Sequence, residues 1–241
     1  MSRPIDAHAA VLFDLDGVLT PTAEVHRRAW KRTFDRVLAA HVREQADPFT
    51  TDDYLRYVDG KPRFEGVHSF LVSRGIELPQ GDPGEEPSLE SEAGVGNLKN
   101  REFTAVLREE GVDAYPGSVA LLDHLLTAGV AVAVVSSSAN AESVLEAAGL
   151  RTRFEVIVDG IVARERGLPG KPAPDTFLAA ARELGVEAAD AVVVEDALSG
   201  VQAGVAGGFG LVVGVDREGQ AAALAEAGAH VVVSDLAELL P

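Results

Sequence analysis

Six short, almost purely apolar runs constrain the fold of this chain more than any other feature of its sequence. They are rich in valine and cover positions 9–13, 130–135, 156–158, 191–194, 211–215 and 231–233. Runs that lack polar alternation are typical of strands buried on both faces of a parallel sheet. Helix-length stretches rich in alanine and leucine lie between most of the runs and end near glycine, at 118–128, 140–148 and 174–184. Because strand and helix alternate, we predict a doubly wound parallel sheet with right-handed crossovers.

The alternation is interrupted after the first run by a long segment with helical periodicity. Apolar residues recur at three- and four-residue spacing across 22–40, and two shorter helical patterns follow. We therefore expect a helical domain over 22–113, inserted in a core formed by 1–21 and 114–241. The predicted fold class is α/β, with a Rossmann-like doubly wound core and an α-helical cap domain.

Charge and composition exclude several classes of function. The net charge of −17 repels phosphate backbones and anionic lipids, so we expect no nucleic-acid or membrane partner. The absence of cysteine excludes thiol catalysis, disulfides and cysteine-ligated metal centres. Residues 1–10 contain no apolar stretch as long as the core of a signal peptide, and no apolar run reaches the roughly 20 residues that a membrane helix needs, so we expect a cytoplasmic protein. We also expect a monomer. The acidic, proline-containing segment 75–96 predicts a solvated surface loop.

Chemically reactive side chains follow three of the apolar runs or precede a predicted helix. They are Asp14, Asp16, Ser136, Ser137, Ser138, Lys171, Glu195 and Asp196. Because an open parallel sheet binds ligands outside the carboxyl ends of its strands, we expect these side chains to lie at one edge of the sheet. Converging carboxylates would repel one another unless a cation neutralised them, and oxygen ligands without cysteine favour Mg²⁺.

These residue types together favour phosphoryl transfer. The Asp14 carboxylate would attack phosphorus, while a divalent cation and Lys171 hold the charge of the phosphoryl oxygens. Asp16 would protonate the leaving oxygen and later deprotonate the attacking one. Ser138 has two interpretations, since a serine before a helix either binds a phosphate oxygen or caps the helix.

Four motifs of this chain resemble those of the haloacid dehalogenase-like superfamily. They are FDLDGVLT at 13–20, the serine-ended second run, the Lys171 loop and the Glu195–Asp196 pair. The helical insertion after the first motif is similar to the cap domain of that superfamily. A narrower resemblance is to its β-phosphoglucomutase-like subfamily. This resemblance rests on TAEVH at 22–26 with Trp30, Arg63, Lys99–Asn100 and 136–140. Trp30 itself is interpreted as part of the cap core.

The resemblance implies a role for each reactive residue of the core. Asp14 would be the nucleophile and Asp16 the general acid/base. Mg²⁺ would be bound by Asp14, Asp196 and the backbone carbonyl of Asp16, with Glu195 acting nearby or through water. The residues implied to bind the transferring phosphate are Ser136 and Lys171.

The resemblance also implies further substrate contacts and an aligned acid/base. The remaining residues implied to bind the substrate or its distal phosphate are Arg63, Lys99, Ser137, Ser138 and Asn140. His26 and Thr22 would align Asp16 as the cap closes, although the position of His26 alone suggests an exposed residue on a surface helix. Three positions depart from the family pattern, where an aspartate, a serine and a lysine are replaced by Pro21, Gly66 and Ala139.

The implied reaction interconverts β-D-glucose 1-phosphate and glucose 6-phosphate, through an aspartyl phosphate on Asp14 and a bound sugar 1,6-bisphosphate. The substrate would thus be a small sugar phosphate. Two alternatives stay open on the sequence. One is a phosphatase of the same superfamily that hydrolyses a small phosphorylated metabolite, because the core motifs are common to both activities. The other is a non-enzymatic module that accepts a phosphoryl group or binds a sugar phosphate.

Overall fold

The chain divides into two compact units. The computed structural model describes residues 4–42 and 47–241. The core unit comprises Met1–Thr22 and Val112–Pro241, and the helical unit comprises Ala23–Gly111. The division made on the sequence places the inserted domain at 22–113.

The core unit is built on one parallel sheet. In the described part of the chain its strands are β1 Ala10–Phe13, β2 Ala131–Val135, β3 Val156–Val158, β4 Ala191–Glu195, β5 Leu211–Val215 and β6 Val231–Val233. Each strand lies within one residue of a predicted apolar run, and the strand order is β3-β2-β1-β4-β5-β6. This arrangement confirms the predicted doubly wound α/β fold.

Apart from four short 3-10 helices, α-helices form the remaining regular elements of the described residues. They are α1 Thr22–His41, α2 Thr51–Tyr57, α3 Arg63–Ser73, α4 Glu92–Glu110, α5 Pro116–Thr127, α6 Ala141–Ala147, α7 Gly160–Glu165, α8 Asp175–Glu183, α9 Leu198–Ala206 and α10 Ala221–Glu226. Helices α5, α6 and α8 end close to the glycines that predict their stops, Gly129, Gly149 and Gly185. Within 4–42 and 47–241, no helix combines the length and the apolar character needed to cross a membrane.

The order of the strands determines where this sheet has a crevice. Strand β1 pairs with β2 on one side and with β4 on the other, so Phe13 lies opposite both Val134 and Val194. In an open parallel sheet the ligand crevice forms where the strand order reverses, outside the carboxyl ends of the strands. Strands β1 and β4 are buried along their whole length, which explains why their sequences are almost purely apolar. The crevice therefore lies beyond Phe13 and Glu195.

The helical unit has its own core of packed aromatic rings. The rings of Trp30 and Phe34 on α1 stack with their centres 4.9 Å apart. The Phe34 ring centre also lies 4.0 Å from that of Phe70 on α3 and 5.1 Å from that of Phe49. All four side chains are buried, and the four-residue spacing of Trp30 and Phe34 puts both on one face of the helix. The predicted first helix and the interpretation of Trp30 as core are confirmed.

The prediction of a surface loop over 75–96 is wrong at the C-terminal end of this segment, where helix α4 begins. Ser91 caps helix α4, since its Oγ accepts a hydrogen bond from the N–H of Gly94 at 2.9 Å. The glycines that suggested a loop instead permit close packing, because a Cβ on Gly96 would lie 2.8 Å from the Phe64 ring. The part of the segment that precedes Ser91 lies at the surface, as predicted.

Replacing Phe34 by alanine is expected to destabilise the helical unit strongly. Removal of a buried aromatic ring leaves a cavity, and such substitutions cost about 3–5 kcal/mol in free energy of unfolding. Urea unfolding followed by the fluorescence of Trp30 measures the effect, because Trp30 is the one tryptophan of the chain and stacks on Phe34. Val72→Ala is the matched control, since Val72 is 62% exposed. Equal losses in both variants would contradict the role given to the aromatic core.

Candidate active site

Asp14 lies directly beyond β1, at the crevice of the sheet. Its N–H donates to the Val194 carbonyl at 2.9 Å, which extends the pairing of β1 with β4 and fixes the backbone here. The residue is nearly buried, at 7% exposed. Lys171 Nζ donates to Asp14 Oδ1 at 2.5 Å. The structure thus brings together the predicted carboxylate and the predicted lysine, which lie far apart in the sequence.

The Lys171 ammonium connects the ends of three strands. Besides its bond to Asp14, it donates to the Val135 carbonyl at 3.1 Å and to Glu195 Oε1 at 2.6 Å. These three bonds use all the donors of an ammonium group. The lysine is 3% exposed, so water does not compete for them. Lys171 is therefore held in one position between two acidic segments.

The electrostatics of the crevice favour an additional cation. Burial raises the pKa of Asp14 well above its usual value, the charges of Glu195 and Asp16 raise it further, and Lys171 opposes the shift. Burial by itself would lower the pKa of Lys171, but the carboxylates of Asp14 and Glu195 outweigh it and raise that pKa above its usual range. One ammonium shared by two buried carboxylates leaves an excess of negative charge.

Three carboxylates are placed where they could share a metal ion. One oxygen from each of Asp14, Glu195 and Asp196 lies within 4.8 Å of the others. A donor set made only of carboxylate oxygens suits a hard divalent cation such as Mg²⁺ better than zinc. The excess negative charge at this point fits a divalent cation for the same reason. The side chain of Asp16 is not a member of this group.

Gly200 on α9 makes room for one of these carboxylates, and the sequence analysis missed it. A Cβ at this position would lie 1.8 Å from Glu195 Oε1. The other oxygen, Oε2, accepts a hydrogen bond from the N–H of Ala197 at 3.0 Å. Both oxygens of Glu195 are thus engaged by the protein. A glycine within a helix costs roughly 0.5–1 kcal/mol of stability relative to alanine. This unfavourable choice is the one signal in the sequence that could have pointed to a role for Gly200.

Asp16 begins a tight turn that orients its own carboxylate. The N–H of Gly17 donates to the Thr20 carbonyl at 2.8 Å, and Gly17 has a φ of 84°, a conformation that favours glycine. The Thr22 hydroxyl donates to Asp16 Oδ1. The Thr22 oxygen also lies 2.8 Å from the Thr20 hydroxyl. Thr22 therefore holds the Asp16 carboxylate in a fixed direction.

The serine segment after β2 forms a chain of local hydrogen bonds. The buried Ser136 hydroxyl accepts from the N–H of Ser138 at 3.0 Å, and the Ser138 hydroxyl accepts from the N–H of Asn140 at 3.2 Å. Asn140 precedes the first residue of α6, so the interpretation of Ser138 as the helix cap is wrong. A Cβ on Gly160 would lie 2.7 Å from the Ser137 carbonyl, so this glycine allows the segment to pack closely.

Three of the predicted site residues lie in the helical unit: His26, Lys99 and Arg63. Lys99 Nζ lies 2.5 Å from His26 Nδ1, and both side chains are buried. The His26 ring packs against that of Phe103, with centres 4.1 Å apart and planes tilted by 34°. Because His26 is buried, its interpretation as an exposed residue is wrong. Because an ammonium has only donors, His26 Nδ1 acts as the acceptor. Arg63 is the first residue of α3, and its guanidinium lies 4.6 Å from the centre of the Phe64 ring.

The fold and this cluster define a class of protein. A profile of the haloacid dehalogenase-like hydrolase family matches residues 8–208. The chain belongs to that family, which confirms the resemblance seen in its four motifs.

Individual relatives narrow the comparison. The chain is 50% identical over 238 residues to a β-phosphoglucomutase of Mycobacterium bovis, with 96% of this chain and 91% of the relative covered. A solved β-phosphoglucomutase from Clostridium difficile superposes with a TM-score of 0.77 at 25% identity, covering 96% of this chain and 93% of that one. CbbY from Rhodobacter sphaeroides, solved with xylulose-(1,5)bisphosphate, gives a TM-score of 0.73 at 27% identity, covering 96% of each chain.

Binding of a divalent cation is expected to weaken as the pH falls, and to release protons. The raised pKa of Asp14 means that a proton competes for this carboxylate at pH values above the usual aspartate range of about 3.9. Calorimetric titration with Mg²⁺ in buffers of different ionisation enthalpy measures both effects. Asp123→Asn removes an exposed carboxylate as a control and should leave the profile unchanged. A Mg²⁺ affinity that stays constant down to the usual aspartate range would contradict the prediction.

Proposed function

We propose that this protein acts as a β-phosphoglucomutase, interconverting β-D-glucose 1-phosphate and glucose 6-phosphate. The observation that carries the proposal is 50% identity to a β-phosphoglucomutase over 96% of the chain. The cluster of Asp14, Lys171, Glu195 and Asp196 supplies chemistry that suits this reaction. The sugar bisphosphate bound by CbbY supports a sugar phosphate as the substrate class.

Asp14 is the proposed nucleophile. Its carboxylate forms a bond to phosphorus, while the bond between phosphorus and the departing oxygen breaks. Lys171 keeps the carboxylate oriented and contributes positive charge to the transferring group. Asp16 donates a proton to the departing oxygen and takes one from the sugar hydroxyl that later recovers the phosphoryl group. The direct bond from Thr22 fits this role of Asp16.

Mg²⁺ is the proposed cofactor. Asp14, Asp196 and the backbone carbonyl of Asp16 would hold it, and Glu195, whose oxygens are occupied by Lys171 and Ala197, would act indirectly. When bound, the ion neutralises the carboxylates and the developing charge on the phosphoryl oxygens.

The substrate is proposed to contact two sets of residues. The transferring phosphate would meet Ser136 and Lys171, and the distal phosphate or sugar would meet Arg63, Lys99, Ser137, Ser138 and Asn140. Of the two residues expected to align Asp16, Thr22 bonds to it directly, whereas His26 is paired with Lys99. That pairing supports a role for Lys99 in fixing the His26 ring besides any contact with substrate.

A phosphatase is the second candidate, because the matching family is one of hydrolases and the core cluster is equally able to pass the phosphoryl group to water. The two activities differ in the need for a second phosphate site. A mutase must retain its bisphosphate until the sugar presents the other phosphate to Asp14. The non-enzymatic alternative is disfavoured, since two of the relatives named above are β-phosphoglucomutases that match nearly the whole chain.

Asp14→Asn is expected to reduce turnover of β-D-glucose 1-phosphate to less than about a hundredth of the unmodified rate. The amide is a poor nucleophile, and loss of its charge weakens cation binding. A coupled assay for glucose 6-phosphate gives the rate, and mass spectrometry should show no phosphorylated protein. Asp123→Asn serves as the control at an exposed site. Turnover above that limit would remove Asp14 from the nucleophile role.

Arg63→Ala is expected to separate mutase from phosphatase activity. A guanidinium binds phosphate through parallel hydrogen bonds, and each charge-assisted bond contributes roughly 1.5–3 kcal/mol. Isomerisation should therefore fall by at least about 10²-fold, while hydrolysis of acetyl phosphate should hardly change. Arg56→Ala, at an exposed arginine of the same unit, is the control. If neither activity changes, the phosphatase is favoured. If both activities fall together, Arg63 supports the fold or the core site instead.

A further inference from the structure

The loop that follows β5 contacts two segments that carry proposed metal ligands. Arg217 Nε donates to the backbone carbonyl of Gly17 at 2.9 Å. Gln220 Nε2 donates to the backbone carbonyl of Asp196 at 3.2 Å. The loop 216–220 thus holds the turn after Asp14 and the segment after β4 at the same time.

The two segments held by this loop are also in contact with each other. A Cβ on Gly17 would lie 1.8 Å from Asp196 Oδ2, so the Asp196 carboxylate lies directly against the Gly17 backbone. A shift of Gly17 would therefore change the space available to that carboxylate. It would also displace Asp16, the neighbour of Gly17 and the proposed general acid/base.

Arg217 is itself held from several sides, as a rigid support requires. Its guanidinium stacks on the ring of Tyr115, with Cζ 3.8 Å from the ring centre. Its Nη1 donates to the Ser234 carbonyl at 3.0 Å and lies 3.7 Å from the Asp235 carboxylate. The side chain is only 17% exposed. The planar, multiply bonded guanidinium is thus fixed before it reaches Gly17.

The backbone of the loop is fixed by Asp216. Its carboxylate accepts hydrogen bonds from the N–H groups of Gln220 at 2.8 Å and Glu218 at 3.2 Å. Its own N–H donates to the Val233 carbonyl at 2.7 Å. Backbone hydrogen bonds, chiefly that of Gln220, lower the pKa of Asp216. The loop presents both donors from a fixed frame.

We infer that Arg217 and Gln220 are positioning residues for the divalent-cation site, acting through the carbonyls of Gly17 and Asp196. They would keep the Asp196 carboxylate in place for the cation. The inference rests on the metal site included in the proposed function. Residues that orient metal ligands typically change metal affinity about 10–100-fold when they are removed.

The test is Mn²⁺ binding measured by electron paramagnetic resonance, with Mn²⁺ as the probe and no substrate. Arg217→Ala should weaken Mn²⁺ binding about 10–100-fold, and millimolar guanidinium should recover part of the loss. Gln220→Ala should also weaken it. Arg166→Ala is the matched control, because Arg166 is an exposed arginine of the same unit and its guanidinium pairs with the Glu183 carboxylate. The Mn²⁺ affinity of the Arg166→Ala variant should equal that of the unmodified protein.

Urea unfolding of each variant separates positioning from stability. A lower unfolding midpoint for Arg217→Ala together with an unchanged Mn²⁺ affinity would overturn the inference. If Arg217→Ala does not fold, Gln220→Ala decides in the same way, since it removes a single hydrogen bond to the site. An unmodified protein that binds no Mn²⁺ would overturn the proposed metal site and this inference with it, an outcome distinct from unchanged affinity in the variants.

Discussion

The rest of the site depends on one buried ammonium. Lys171 places its three donors on Asp14, Glu195 and the Val135 carbonyl, and so connects the ends of β1, β2 and β4. Burying charges is costly unless they are paired, and removing one partner leaves an uncompensated charge. Here two carboxylates share one lysine. The arrangement is held together by that ion pair and still carries the surplus negative charge that a divalent cation would neutralise.

Around this centre, space is provided by glycines. Gly200 leaves room for the Glu195 carboxylate and Gly17 for that of Asp196, and a methyl group at either position would overlap a carboxylate oxygen. Glycine inside a helix lowers stability, so α9 gives up some stability for the placement of a charged group. Arg217 then holds the Gly17 carbonyl through a hydrogen bond from its Nε. The positions of the carboxylates thus depend on the glycines beside them and on the loop that bonds to the Gly17 carbonyl.

The inserted helices have a core of their own, independent of the charged cluster at the sheet. Their packed aromatic core of Trp30, Phe34, Phe49 and Phe70 lets the unit keep its own shape while carrying polar groups. The buried contact of His26 with Lys99 shows such groups fixed within it. A mutase needs a second phosphate site that a phosphatase does not, and Arg63 on α3 is the residue proposed to bind that second phosphate. The core unit is proposed to supply the chemistry common to both reactions.

The sequence by itself determined the sheet, because purely apolar valine-rich runs are stable only when both faces are covered. It also determined that four side chains lie together, since parallel strands bring their carboxyl ends to one edge of the sheet. These are Asp14, Lys171, Glu195 and Asp196. Only the tertiary structure revealed that helix α4 begins directly after Ser91, in a glycine-containing segment. It also revealed the roles of Gly200, Arg217 and Gln220 in the site. These residues act by leaving space or by bonding to backbone carbonyls. Every residue has a carbonyl, and an empty volume has no sequence pattern, so their partners become visible only when distant segments are folded together.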